Sequence, residues 1–216
     1  IKSRIRNRYR MLESYPRMFV RLKLRFDPMF NTLQEMVDQD NSIKNIVDIG
    51  CGYGVPACWC LEYFNDAHVY GIDPDLERVR VASIATGARG TITGGFAPVM
   101  PEVPNDADIV LVVDMLHYLD NETTSTLFQN SFEILGNNGR LITRYVTRPA
   151  APSWSWRLED FRVKIAGQKP HYRNPEHMTK LMGNAGFIVE INVVSQENPE
   201  LFWMVGRKDE ENTGVR

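Results

Sequence analysis

The sequence predicts an α/β fold. It should be a seven-stranded, mostly parallel sheet with helices on both faces, an antiparallel last strand and a helical arm in front. Three observations carry this prediction. The apolar run Ile46-Val47-Asp48-Ile49 enters Gly50-Cys51-Gly52-Tyr53-Gly54, a turn with glycine at alternate positions, and helix-forming sequence follows. A second apolar run, His68-Val69-Tyr70-Gly71-Ile72, ends in Asp73, nineteen residues beyond Gly54. That spacing leaves room for one helix and a neighbouring parallel strand. Strand-like and helix-like segments then alternate toward the C-terminus, where two strand-like runs lie too close together for a parallel crossover.

The elements follow in order. In the arm, Ile5, Tyr9 and Leu12 recur at helical spacing, as do Phe19, Leu22 and Phe26, with Pro16 between the sets. This reads as two basic amphipathic helices broken near Pro16. Asp27-Pro28 is an N-cap with proline in the first turn, and Phe30, Leu33, Met36 and Val37 form the inner face of a helix ending by Asp40-Asn41. Strand one is 45–49, followed by a helix over 54–64. Strand two is 68–72, and Pro74-Asp75 starts a helix from Leu76 to Ala85. Strand three is Thr91–Thr93. Strand four, Asp108–Val113, is continuously apolar, as expected when both faces are covered. Asp120 or Asn121 caps a helix through Leu135, stopped by Gly136, and Asn138-Gly139 turns into strand five, Arg140–Val146. Residues 147–174 interrupt the alternation as a lid-like insertion, long for a compact connection. Asn174-Pro175 caps a helix closed at Gly186, strand six is Phe187–Val193, and strand seven is Leu201–Gly206. The expected organisation is an arm or cap over 1–41, a catalytic domain over 42–207 and a flexible tail over 208–216.

Composition narrows the class. With 43% hydrophobic and 24% charged residues, the chain reads as globular, and its 216 residues allow one domain with elaborations. The longest apolar run, Ile109 to Leu119, is broken by Asp114 and His117 and falls short of the ~20 residues of a membrane span. The visible N-terminus is basic without the apolar stretch of a secretory signal, so a cytoplasmic setting is the expectation. Cys51, Cys58 and Cys60 form no C-x-x-C pair, and the histidines are not spaced to complete a metal site; small packing side chains are the expectation. The net charge of −2 hides a segregation: residues 1–26 hold nine of the 25 Lys/Arg and one of the 27 acids, leaving 16 basic against 26 acidic residues beyond. Such asymmetry concerns partners more than fold.

The glycine turn carries the chemistry. In the dinucleotide fingerprint G-x-G-x-x-G, a helix N-terminus receives a pyrophosphate. Here the pattern is Asp48-x-Gly50-x-Gly52-x-Gly54, and an acid just before the first glycine suits an ammonium and repels a diphosphate. Asp73, at the tip of the next strand, can accept both hydroxyls of a ribose. The stretch resembles motif I of the class I S-adenosylmethionine (SAM) dependent methyltransferases. The resemblance covers about residues 42–207 and implies a Rossmann-like fold with SAM as cofactor and S-adenosylhomocysteine (SAH) as product. It places the methionine moiety against Asp48, Gly50, Cys51, Gly52 and Gly54, and the ribose on Asp73 beside Pro74. Gly95 and Phe96 would lie at the adenine, although Thr93-Gly94-Gly95-Phe96 lacks the acid that relatives use there. Asp114 and Met115 would border the methionine part.

The end of strand four, Asp114-Met115-Leu116-His117-Tyr118, differs from the [DN]-P-P-Y of amine and amide methyltransferases. The metal-dependent catechol O-methyltransferases carry an Asp-Asn pair after strand five, where this chain reads Thr143-Arg144-Tyr145, so the resemblance implies metal-independent transfer. The D-x-x-H-Y form resembles small-molecule O-, N- or C-methyltransferases, with His117 the candidate base. Arg144, Trp154, Trp156, Arg162, His171, Tyr172 and Arg173 fall on segments expected at the carboxyl edge of the sheet, where open α/β sheets bind ligands. Aromatics with arginines suit an anionic, partly apolar acceptor. More narrowly, Arg25-Phe26-Asp27-Pro28 with Asp114–Tyr118 resembles bacterial methyltransferases associated with fatty-acid-like or aryl-polyene biosynthesis, which implies a lipid-like or carrier-bound aromatic acceptor. The basic arm also suits anionic lipid. A nucleic-acid methyltransferase and a non-catalytic SAM-binding protein are the alternatives. The absence of an evident stacking platform and the acidic body argue against nucleic acid.

Overall fold

The computed structural model describes residues 1–37, 43–148, 170–195 and 198–209. Its strands are β1 (Asn45–Ile49), β2 (His68–Asp73), β3 (Gly90–Gly94), β4 (Ala107–Val113), β5 (Leu135–Val146), β6 (Ile188–Ser195) and β7 (Asn198–Arg207). They form one seven-stranded sheet in the order β3-β2-β1-β4-β5-β7-β6. β1, β2 and β3 pair in parallel, while β7 runs antiparallel to both β5 and β6. The helices are α1 (Lys2–Arg8), α2 (Ser14–Phe26), α3 (Met29–Val37), α4 (Val55–Tyr63), α5 (Leu76–Thr86), α6 (Asn121–Ile134) and α7 (Pro175–Asn184). The chain divides into two compact units, Ile1–Leu111 and Val112–Arg216.

In the first unit, α4 is buried on every side from Val55 to Leu61, so it packs as a central core helix. α1 lies against α4 and α5, with Ile5, Tyr9 and Leu12 buried. Arg4 and Arg8 both bond Glu62 at the end of α4, and Arg8 also donates to the carbonyls of Ala85 and Thr86. The arm is therefore built into this unit. Two details of the expected arm are corrected. The break between its helices falls at residues 9–13, because Pro16 sits in the first turn of α2, where its missing N–H costs nothing. α2 also turns Pro16, Val20 and Leu24 inward and leaves Phe19, Leu22 and Phe26 exposed. Asp27 caps α3 by accepting from the Met29 amide at 3.0 Å, and Phe30, Leu33, Met36 and Val37 are buried as expected. The expected end of that helix at Asp40-Asn41 lies outside the described residues.

In the second unit, Asp120 accepts from the Thr123 amide and caps α6, and Asn174 does the same for α7 through the His177 amide. β5 begins at Leu135, five residues before the expected start. Asn138, at φ 62°, takes the left-handed turn inside it and donates its amide to the Lys208 carbonyl, while the Lys208 amide donates to the Gly139 carbonyl. Lys208 is thus tied to β5 rather than frayed, and residues 210–216 lie outside the description. Among the described residues no helix is long and apolar enough to cross a membrane.

Candidate functional site

The first unit contains the glycine turn. Gly50, Gly52 and Gly54 all have left-handed φ angles, 71°, 55° and 75°, which side chains rarely adopt, and so the alternate spacing is a backbone requirement. Gly54 is also a packing position, since a Cβ there would meet the Ala82 Cβ at 2.9 Å. A Cβ on Gly52 would meet no atom within 4 Å, so the space beside that glycine is open.

The turn is held by its neighbours. The amides of Gly50 and Cys51 both donate to the Ile72 carbonyl, and the Gly54 amide donates to the Cys51 carbonyl. Asp73 Oδ2 accepts from the Gly52 amide at 2.9 Å, and its Oδ1 accepts from the Asp75 amide at 3.0 Å. Asp73 therefore ties the β2 tip to the turn, and each oxygen retains a lone pair for another donor. Beneath the turn, Asp48 is 1% exposed, and its Oδ2 has no hydrogen-bond partner. Burial, and then the charge of Asp73, push its carboxyl up to about 7. An orphaned carboxylate oxygen beside open glycine backbone fits a ligand that carries an ammonium. Burial likewise raises the Cys51, Cys58 and Cys60 thiols, Cys58 to about 11, so all three are packing groups and not thiolates.

Pro74 is exposed next to Asp73. The Gly95 amide donates to the Asp73 carbonyl at 3.2 Å, so the end of β3 lies beside the same strand tip, and Phe96 is exposed. One neighbour was missed by sequence reasoning. Tyr53, inside the turn, meets the rings of Phe19 at 5.2 Å and Tyr15 at 6.2 Å, and its carbonyl accepts from the Tyr9 hydroxyl at 2.8 Å. No local pattern announces that contact, because it joins the turn to two arm helices.

The second unit carries the turn after β4. Asp114 sits at φ 59°, a left-handed position uncommon for a side chain other than glycine. Its carboxylate is gripped by both Nε and Nη2 of Arg144, and its amide donates to the Arg144 carbonyl. Arg144 is buried, and its guanidinium is committed to Asp114 with Trp203 beneath it at 5.5 Å. Met115 is half-buried at the same turn.

His117 is buried with Nδ1 unpartnered, its ring 4.0 Å from Tyr118 and 6.4 Å from Tyr172. Desolvation lowers it to about 4, so it is neutral throughout the physiological range. The His171 amide donates to the His117 carbonyl, which brings His171 and Tyr172 to the same turn. Arg173 was expected to face an acceptor but points into the protein. It donates to the carbonyls of Leu116, Leu119 and His171 and to Asn121 Oδ1, clamping the backbone that carries His117. Trp154, Trp156 and Arg162 lie outside the described residues. Among the described residues, no three His, Cys, Asp or Glu side chains cluster as a metal site would require.

The chain is similar to known proteins. The methyltransferase domain family matches residues 21–190. Phenazine-1-carboxylate N-methyltransferase of Pseudomonas aeruginosa is 27% identical over 155 residues, which are 68% of this chain and 45% of that protein. The chain thus spans about half the length of that relative. Among solved structures, the pyocyanin biosynthetic protein superposes with a TM-score of 0.69 at 24% identity, over 93% of this chain and 60% of that one. Magnesium protoporphyrin IX methyltransferase of Synechocystis, solved with bound SAH, gives 0.65 at 17% identity over 96% and 94% of the two chains.

Proposed function

This chain belongs to the methyltransferase domain family, and we propose that it transfers a methyl group from SAM, without a metal, to a small acceptor that is anionic or is lipid-like or aromatic. The observation that carries the cofactor half of this reading is the unpartnered Asp48 oxygen beneath the three left-handed glycines. Asp48 would hold the cofactor's ammonium, the Gly50–Gly54 backbone its methionine chain, and Asp73 its ribose hydroxyls. When bound, SAM supplies a methyl group on a positively charged sulfur.

The acceptor half rests on the turn after β4. His117 is the candidate base, with Nδ1 as the atom that would take the acceptor's proton. A group depressed to about 4 is a weak base. It suffices here, because a nucleophile losing its lone pair to a new carbon bond makes its own proton far more acidic. Arg173 fixes the backbone on which His117 rides, and the Arg144 grip keeps the Asp114 carboxylate in one orientation. His171 and Tyr172, beside that turn, would contact the acceptor. In such a displacement, alignment supplies most of the acceleration.

The test is transfer of labelled methyl from SAM across acidic phenols, aromatic carboxylates and fatty-acid-like compounds, with and without chelator. At least one class should be methylated at a rate the chelator leaves unchanged. His117→Ala should lower kcat by about 10²–10⁴ while SAH affinity holds. Full loss of turnover in chelator, restored by magnesium, would overturn the metal-free reading. An unaltered kcat in His117→Ala would remove the base.

A further inference from the structure

Helix α2 presents three sectors around its axis. Pro16, Val20 and Leu24 are the buried anchor. Next to them, Arg17, Arg21 and Arg25 recur every fourth residue as an exposed basic row. Beyond that row lies an apolar stripe, with Met18 50%, Leu22 48% and Phe26 70% exposed and Tyr15 and Phe19 also in contact with solvent. The anchor fastens the helix and Tyr15 and Phe19 pack on Tyr53, so it is Met18, Leu22 and Phe26, each about half exposed or more, that contribute little to the fold.

The charges next to it are not neutralised: Arg17 reaches only the Ser14 hydroxyl and Arg25 lies over the Phe26 ring. Arg4 and Arg8 pair with Glu62 and Lys23 with Asp27, whereas Arg6, Arg10, Arg17, Arg21 and Arg25 have no carboxylate partner among the described residues. A groove of about 1050 Å³ between α1 and α2 collects Lys2, Arg6, Arg17, Arg21 and Arg25 along its walls. Thirteen residues of helix make this face about 20 Å long.

We propose that this face is a docking surface for an anionic phospholipid membrane, on which α2 lies in the plane of the interface. A basic row beside an apolar stripe is the pattern of a helix that seats phosphates on its guanidiniums and its apolar side chains among the acyl chains. Charge complementarity selects this occupant. A second copy laid face to face would set arginine row against arginine row. An acidic protein would pair the arginines, but it would have to bring its own apolar surface to cover the exposed stripe. The inference stands apart from the identity of the methyl acceptor.

Vesicle flotation of the whole chain tests it, comparing phosphatidylcholine alone with phosphatidylcholine containing phosphatidylglycerol, at low and high salt. The chain should float with the anionic vesicles only, and less as salt rises. Reversing Arg17, Arg21 and Arg25 together to Glu should weaken partition by about fivefold or more per arginine. Leu22→Ser with Phe26→Ser should weaken it at unchanged charge. An SAH-dependent rise in melting temperature in each variant shows that it is folded. Failure to float with anionic vesicles at low salt overturns the proposal, as does equal flotation with neutral ones. Unchanged flotation of the Leu22/Phe26 variant would show a phosphate contact without insertion and overturn it too. So would a concentration-dependent dimer that both sets of substitutions abolish, since a second copy would then cover the face.

Discussion

At the scale of single residues, Asp48 and Asp73 divide the work of the turn between them. Asp73 spends one lone pair of each oxygen on the Gly52 and Asp75 amides. Asp73→Ala should therefore lower SAH affinity by roughly 1.5–3 kcal/mol and also loosen the turn. Unchanged affinity by calorimetry would remove Asp73 from the ribose. Asp48 is held with its carboxyl near 7 against an ordinary 3.8. Between those values the folded chain keeps a proton that the unfolded chain has lost, so this group favours the fold most at low pH, and its contribution is lost as pH rises through about 7. Asp48→Asn should thus be more stable than the parent at pH 8, by on the order of a few kcal/mol, with the gap closing toward pH 4. Cofactor binding should release a proton near pH 6–7 in the parent and none in the variant, because an ammonium arriving at Asp48 favours its ionised form. Calorimetry in buffers of different ionisation enthalpy reads that proton. The pair was legible in the sequence because its meaning is local, an acid before alternating glycines and an acid at the next strand tip. Arg173 was not, because three of its four acceptors are backbone carbonyls, at Leu116, Leu119 and His171, and a carbonyl has no residue type.

At the scale of elements, the strands were legible as apolar runs and the helix starts as capping residues. Asp27, Asp120 and Asn174 all cap as their positions predict. The misreadings came from positions where two local rules compete. Pro16 breaks a helix interior but suits a first turn, and α2 carries two apolar stripes of which only one can face the core. Spacing alone cannot say which. The turn after β4 was placed by sequence, yet what holds it was invisible: Arg173 binds it from a residue more than fifty positions away. Arg173→Met should leave the Leu116 and Leu119 carbonyls without their donor and cost about 2–5 kcal/mol, seen as a lower melting temperature. Arg173→Lys should recover little, since an ammonium cannot span acceptors that a planar fork reaches together. Methyl transfer should fall further than SAH affinity in both variants. A melting temperature equal to the parent's would show that the clamp carries no weight.

At the scale of the whole molecule, the segregation of charge reads as a matter of partners more than of fold. The structure argues otherwise. Ile5, Tyr9 and Leu12 are buried in the first unit, the Tyr9 hydroxyl bonds the carbonyl of Tyr53 within the glycine turn, and Arg8 reaches Glu62 and the end of α5. Three large side chains at about 1.5–3 kcal/mol each amount to a substantial part of the ~5–15 kcal/mol that holds a typical domain together. The ion pairs add little by comparison, since half-exposed pairs contribute about 0–1 kcal/mol. Deleting residues 1–13 should therefore expose the α1-facing side of α4 and α5 and cost most of the stability of the first unit. SAH binding should disappear with it, because Tyr53 loses its support. The arm's polar contribution is separable: Arg4→Ala with Arg8→Ala should lower the melting temperature by only a few degrees and leave SAH affinity close to the parent's. Thermal unfolding and calorimetry on the truncated chain and the double variant decide between the two roles. A truncated chain that melts with the parent and binds SAH equally well would show that the arm is an appendage whose function lies wholly in its outer face.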